Sequence, residues 1–270
     1  MTPADLGTVL GVWAHPDDET YLSAGLMALA RRAGHRVVCA TATLGEHGTD
    51  DPDRWPPDRL RRVRDAELAA ALAAVGVTER RTLGLEDGTL AGVDLAAGAA
   101  RVSALLADVR PDTIVTFGPD GLTGHPDHRA VARWVLAAWR RDGAGPRLLQ
   151  ATTTARFART FADIHARLPV FGPGLPRRTP DDRLALRVAL DDELADRKLV
   201  ALRAHASQVG PLLAALGEER FRDWWREEAF VAAGRSADLH NSTTPSPRTR
   251  RPRPSESGTT PTPSPIGALR

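Results

Sequence analysis

Five short apolar segments, four of them followed by a stretch of helical periodicity, constrain the fold of this chain more than any other feature. Residues 8–14, 36–43, 81–83, 113–117 and 147–153 read as buried strands; residues 21–33, 60–75, 95–109 and 129–141 read as the helices between them. Parallel strands need a crossover of a dozen or more residues, usually a helix, so this alternation specifies an α/β protein with a mostly parallel central sheet. The helices carry their own punctuation: Gly34 and Gly76 follow two of them, and Asp94 precedes a third as an N-cap. Within 60–75, Leu60, Val63, Leu68, Leu72 and Val75 recur at helical spacing and can face the sheet, with arginines opposite. In the second half, residues 184–190 alternate as a strand, Asp191 can cap a helix running to about Ser207, and residues 221–232 read as an aromatic-rich helical stretch completing one wall.

Composition bounds what such a sheet can serve. With 270 residues, 42% of them apolar, the chain can bury one full core, and a single domain over 1–235 is expected. The one cysteine, Cys39, lies in an apolar run, which excludes a disulfide framework and a cysteine-rich metal site. The pI near 9.3 invites a nucleic-acid reading, but the basic excess is local. Residues 236–270 hold five arginines against two acids, leaving 31 basic and 32 acidic side chains in the rest of the chain. The body is therefore nearly neutral and no nucleic-acid partner is expected. The tail, made of Pro, Ser, Thr and Arg, has almost nothing apolar to bury and is predicted to be disordered. No run approaches the ~18 apolar residues of a spanning helix. The apolar stretch 6–14 is short, glycine-broken and preceded by Asp5, so neither membrane anchor nor signal peptide is expected and the cytoplasm is the expected compartment.

The chemistry-bearing residues fall in two clusters. Ala14-His15-Pro16-Asp17-Asp18-Glu19 stands where the first strand ends and a helix begins, and Gly124-His125-Pro126-Asp127-His128 follows the fourth strand in the same way. If the sheet runs in the common order 3-2-1-4, strands one and four are neighbours at the switch point and these two loops face each other beyond their carboxyl ends. A catalytic zinc takes three ligands from histidine and carboxylate and keeps a position open for water, a count that two histidines and an aspartate meet; ferrous iron or manganese could occupy the same donors. The prolines after His15 and His125 restrict the preceding residue to extended backbone and so aim the histidines. A dinucleotide site is not expected, because the glycine fingerprint after strand one is missing.

These motifs resemble those of the PIG-L or LmbE-like family of zinc-dependent N-acetylglucosaminyl deacetylases, over about residues 9–208. Further matches are Thr43-Leu44-Gly45-Glu46, Arg64 with Glu67, Leu85-Glu86-Asp87-Gly88 and His205-Ala206-Ser207-Gln208. The resemblance implies a Rossmann-like three-layer fold with the metal at the carboxyl ends of the strands. It implies one zinc held by His15, Asp18 and His128, and Asp17 as the base that deprotonates water. It also implies that His125 acts on the reacting carbonyl or leaving nitrogen and that Asp127 orients it, with Glu46, Arg64 and Asp87 meeting the sugar hydroxyls. The substrate would be a small amino-sugar conjugate, cleaved to acetate and a free amine. One departure stands out. The mycothiol branch of the family carries a tyrosine two positions before the first histidine of the second motif, where this chain has Thr123, and the only tyrosine is Tyr21. An amidase acting on a non-sugar or thiol-conjugate amide, and a phosphoesterase with two metals ~3.5–4 Å apart, are the alternatives. Ordinary structural roles compete at three positions: an exposed Arg64–Glu67 ion pair, a turn at Asp87-Gly88, and a cap or core place for His205.

Overall fold

The computed structural model describes residues 1–234, so the expected tail at 236–270 lies outside the described residues. Seven strands join in one sheet. In chain order they are β1 (Val9–Trp13), β2 (Val37–Thr41), β3 (Glu79–Thr82), β4 (Thr113–Phe117), β5 (Arg147–Thr152), β6 (Leu186–Ala189) and β7 (Glu227–Ala232). They lie in the spatial order β3-β2-β1-β4-β5-β7-β6. The first five are parallel, with Val9 paired to both Val37 and Thr113. Every residue of β1, β2 and β4 is buried, which is why these segments read as unbroken apolar runs rather than as alternating ones.

The chain leaves β1 towards β2 and β3 and returns on the other side to β4. The loops after β1 and β4 therefore diverge and open a crevice, as expected for an open parallel sheet. Helices α1 (Asp18–Arg32), α2 (Pro57–Ala74), α3 (Leu95–Val109) and α4 (Pro126–Arg141) make the crossovers. Helix α3 packs on α4, whereas α1 and α2 both pack on α7 (Asp192–Ala204), giving two helical groups about the sheet. On α2, Leu60, Leu68 and Leu72 are buried as their spacing predicts, with Val75 just beyond its end. Among the described residues no helix is long and apolar enough to cross a membrane.

The second half departs from the helical expectation. After two short helices, α5 (Ala155–Thr160) and α6 (Ala162–Arg167), the chain enters β6 and α7. The expected helix 191–207 breaks at His205 (φ −81°, ψ 49°), and a separate α8 (Ala206–Leu216) follows. The expected helix 221–232 is divided. Helix α9 (Glu218–Trp224) ends at Trp224, and the remainder becomes β7, antiparallel to both neighbours. Phe230 pairs there with Ala151 and Leu186, so tertiary pairing overrides the local pattern. Phe221, Trp224 and Trp225 pack as core, with Tyr21 lying against Phe221 and Trp225.

A buried ion pair fastens this half to α1. Lys198, the only lysine beside 35 arginines, donates to Glu228 Oε1 and to the Tyr21 carbonyl, both at 2.7 Å. The two carboxylate oxygens of Glu228 accept the amides of Gly25 and Leu26 at 2.8 Å each. A compact ammonium fits such a site where a planar guanidinium would not.

Candidate active site

His15 follows the last residues of β1, and Asp18 opens α1. The two are locked together, because Asp18 Oδ2 accepts the His15 amide at 2.8 Å. Between them Asp17 adopts φ 109°, ψ −33°, a region that L side chains rarely enter. The second motif begins after β4. Gly121 sits at φ +70°, and a Cβ there would stand 2.8 Å from that of His128, so the turn tolerates only glycine. Pro126 starts α4 at a position where its missing amide is not needed.

Hydrogen bonds fix which ring nitrogen each histidine presents. His15 Nε2 donates to Asp87 Oδ1 at 3.0 Å, with Asp127 Oδ2 at 3.4 Å, which leaves Nδ1 as the nitrogen free to bind a metal once it gives up its proton. His128 Nδ1 donates to the Gly121 carbonyl at 3.0 Å, leaving Nε2 free. Those two free nitrogens lie 3.3 Å apart. Asp18 Oδ1 is 3.3 Å from His128 Nε2, and its Oδ2 is 3.7 Å from His15 Nδ1. Donors ~2.0–2.2 Å from a tetrahedral ion stand about 3.3–3.6 Å from one another, so the separations suit one metal ion. Ring nitrogens of His15, His125 and His128 also lie within 4.8 Å of one another.

Burial dominates the electrostatics at this point. Burial pushes Asp17 up to about 7 and Asp18 up to about 6, the sign of buried carboxylates short of positive charge. Burial alone would depress His15, but hydrogen bonds to Asp127 and Asp87 and the charge on Asp18 outweigh it and hold the imidazole at about 10. Burial and the charge on His15 push His128 down to about 3, a neutral ring suited to ligation. Burial, then the charges of His128 and His15, likewise push His125 down to about 3. Its Nδ1 accepts the Asp127 amide at 3.2 Å, so the neutral ring carries its proton on Nε2.

Three sequence-based expectations need revision. The Asp127 carboxylate does not reach the His125 ring. It accepts the amides of Gly88 and Leu90 and flanks His15 Nε2, so the backbone amide of Asp127, not its side chain, orients His125. Asp87, expected at the sugar, is turned inward between His15 Nε2 and the His47 amide and braces the metal-facing histidine. Arg64 is buried as well, donating to the Pro16 and Gly45 carbonyls at 2.6 and 2.8 Å and to Asp17 Oδ2 at 3.3 Å. It braces the first motif and forms no ion pair with Glu67, whose carboxylate instead accepts both the amide and hydroxyl of Ser207. Glu46 is paired through Oε1 with Arg61 at 2.5 Å and alone of the three expected sugar contacts keeps an unpartnered oxygen, Oε2. The Thr123 hydroxyl accepts the His125 amide at 3.4 Å and lies 3.3 Å from His128 Nδ1, so it supports the motif. His205 is fully buried with its Nε2 on Glu19, an arrangement to which the residues 205–208 pointed without naming a partner.

Comparison with known proteins agrees with this geometry. The family model described as PIG-L, GlcNAc-PI de-N-acetylase, matches residues 10–139. The 1D-myo-inositol 2-acetamido-2-deoxy-alpha-D-glucopyranoside deacetylase of Saccharomonospora viridis is 34% identical over 266 residues, covering 83% of this chain and 94% of that protein. Among solved structures, N,N'-diacetylchitobiose deacetylase from Pyrococcus horikoshii aligns with a TM-score of 0.59 at 19% identity, covering 89% of this chain and 88% of that one. GalB, the 4-carboxy-2-hydroxymuconate hydratase of Pseudomonas putida KT2440, also aligns at 0.59, with 15% identity and coverage of 88% and 100%. The fold thus hosts more than one chemistry, and it is the sequence likeness that decides membership. With both histidine motifs inside the matched segment and a relative alike over nearly its whole length, the chain belongs to the PIG-L family of de-N-acetylases.

Proposed function

We propose that this protein is a metal-dependent hydrolase that removes the N-acetyl group from an N-acetylglucosamine-type conjugate. The observation that carries the reading is the convergence of His15 Nδ1, His128 Nε2 and the Asp18 carboxylate, each turned to one point by a partner on its other side. These three residues would hold the metal, with zinc as the ion best suited to the donors and ferrous iron or manganese as substitutes. Held there, a divalent ion would lower the pKa of a water to ~7 and would polarise the acetyl carbonyl.

Asp17 takes the proton from the attacking water. Its carboxyl, buried beside the proposed ligand Asp18, can return that proton to the departing sugar amine. His125 stays neutral and donates from Nε2 to the oxygen on which negative charge develops. That assignment gives a donor for the oxyanion with Thr123 at the position where the resemblance to the mycothiol branch leads one to expect a tyrosine. A two-metal phosphoesterase fits less well, because Asp87 and Asp127, the carboxylates left over, are engaged by His15 and by backbone amides.

The amino-sugar glycoside of myo-inositol named for the Saccharomonospora relative is the first substrate to try. The test is free-amine release from that glycoside and from a panel of other N-acetylglucosamine conjugates by metal-loaded protein, with Asp17→Ala as control. Release that vanishes in the control supports deacetylation; silence across the panel in protein holding one metal ion per chain rejects it.

A further inference from the structure

Asp17 is strained, and two groups of side chains restrain it. Arg64 holds its carboxylate and the carbonyl before it. On the other side its backbone amide donates to Glu19 Oε2 at 3.0 Å. The second oxygen of Glu19 accepts from His205 Nε2 at 3.0 Å and from Thr20 Oγ1 at 2.5 Å. Glu19 and His205 are both 0% exposed, and among the described residues their side-chain hydrogen bonds run to Asp17, Thr20 and each other. His205 stands at the junction of α7 and α8, and two residues on Ser207 is tied to Glu67 of α2, the helix that also carries Arg64. The two restraints on Asp17 therefore share one support.

A residue at φ 109° keeps that conformation only if its surroundings over-determine it. Among the described residues Glu19 is the one side chain that accepts the Asp17 amide, and its other oxygen is satisfied by Thr20 Oγ1 and His205 Nε2 together, of which His205 alone comes from outside α1 and ties Glu19 to the α7–α8 junction. We propose that Glu19 and His205 are positioning residues that keep Asp17 in its strained backbone conformation and so aim its carboxylate at the attacking water. This rests on the reading of Asp17 as the base. Glu19 follows Asp18 in the chain, but among the described residues neither the Glu19 nor the His205 side chain hydrogen-bonds to a side chain of the three proposed metal ligands, so their loss acts on the chemical step and spares metal and substrate binding.

The experiment compares Glu19→Ala, His205→Leu and His205→Gln, whose side-chain amide can donate from near the position of Nε2. For each, kcat and KM on the myo-inositol glycoside, metal content and Tm are measured, and a crystal structure of Glu19→Ala gives the Asp17 backbone. Misplacing a catalytic group by ~1 Å costs about 100-fold, so Glu19→Ala and His205→Leu should lose kcat on that order with KM within about threefold and one metal per chain retained. His205→Gln should recover most of it, and Asp17 should leave positive φ in Glu19→Ala. Wild-type kcat in folded Glu19→Ala, loss of metal in step with kcat, or an unmoved Asp17 backbone overturns the proposal. If His205→Leu does not fold, the contrast between Glu19→Ala and His205→Gln decides. The crystallographic readout needs no turnover, so it separates this proposal from the deacetylase reading itself.

Discussion

His15 divides its two ring nitrogens between a buried acidic pair and the point where His128 and Asp18 converge. Removing the brace should therefore weaken the metal site without touching a ligand. Asp87→Asn is expected to cost about 10–100-fold in metal affinity, read by competition with a chelator. Asp17→Asn, by contrast, should keep the metal and lose about 10²–10⁴-fold in kcat. The pH dependence has a defined sign. Asp17 and Asp18 titrate in the metal-free fold at about 7 and about 6, above the ordinary 3.8, so the folded state binds more protons than the unfolded chain between these values. Their contribution to metal-free stability is present at low pH and lost as pH rises through about 6 to 7. A metal cation needs Asp18 ionised and His15 deprotonated, so the rise in Tm on adding zinc should grow as pH rises through about 6 and go on growing towards about 10; a gain independent of pH would remove these residues from the ligand set. At this scale the motif residues were legible because their chemistry lies in short stretches of chain. The partners of Asp87, Asp127 and Arg64 were not, since they depend on how the β3, β2 and β4 loops close around His15, which spacing along the chain does not specify.

At the scale of elements, α1 bears the site at one end and the Lys198–Glu228 pair at its middle turns. Breaking a buried pair by deleting one partner typically costs about 3–5 kcal/mol, so Lys198→Met should lower urea stability by that order, a loss that a chevron or equilibrium melt will read. An unchanged midpoint would mean that Glu228 is satisfied by the α1 amides alone. Helices α3 and α4 meet where Gly98 faces Trp134, and a Cβ at Gly98 would stand 2.3 Å from the indole. Gly98→Ala gains about 1 kcal/mol of helix propensity and loses about 1–3 to overpacking, so net destabilisation is expected by thermal melting. The parallel half of the sheet was readable because buried strands there are continuous and apolar. Strand β7 was not, because Glu227-Glu228-Ala229 looks like helix surface until Glu228 is seen to be buried against the amides of Gly25 and Leu26.

Across the whole molecule, the complete sheet and every proposed active-site residue lie within residues 1–234. Ending the chain at Gly234 should leave kcat and Tm unchanged while lowering the pI, because residues 235–270 carry six of the arginines and two of the acids. A drop in kcat on truncation would assign those residues a part in catalysis. The placement of β7 also governs the order in which the protein can be completed. Among the described residues it is the last strand in the chain, yet it sits inside the sheet, and β6 has no other neighbour there. During synthesis the first five strands can pair as they emerge, whereas β6 and the ammonium of Lys198 wait for residues 227–232. A chain stopped short of them leaves an open β5 edge and an unneutralised cation in the core, features that draw chaperones and proteases. The strand that closes this half of the sheet is thus also the one whose Glu228 secures α1, the helix that carries Asp18.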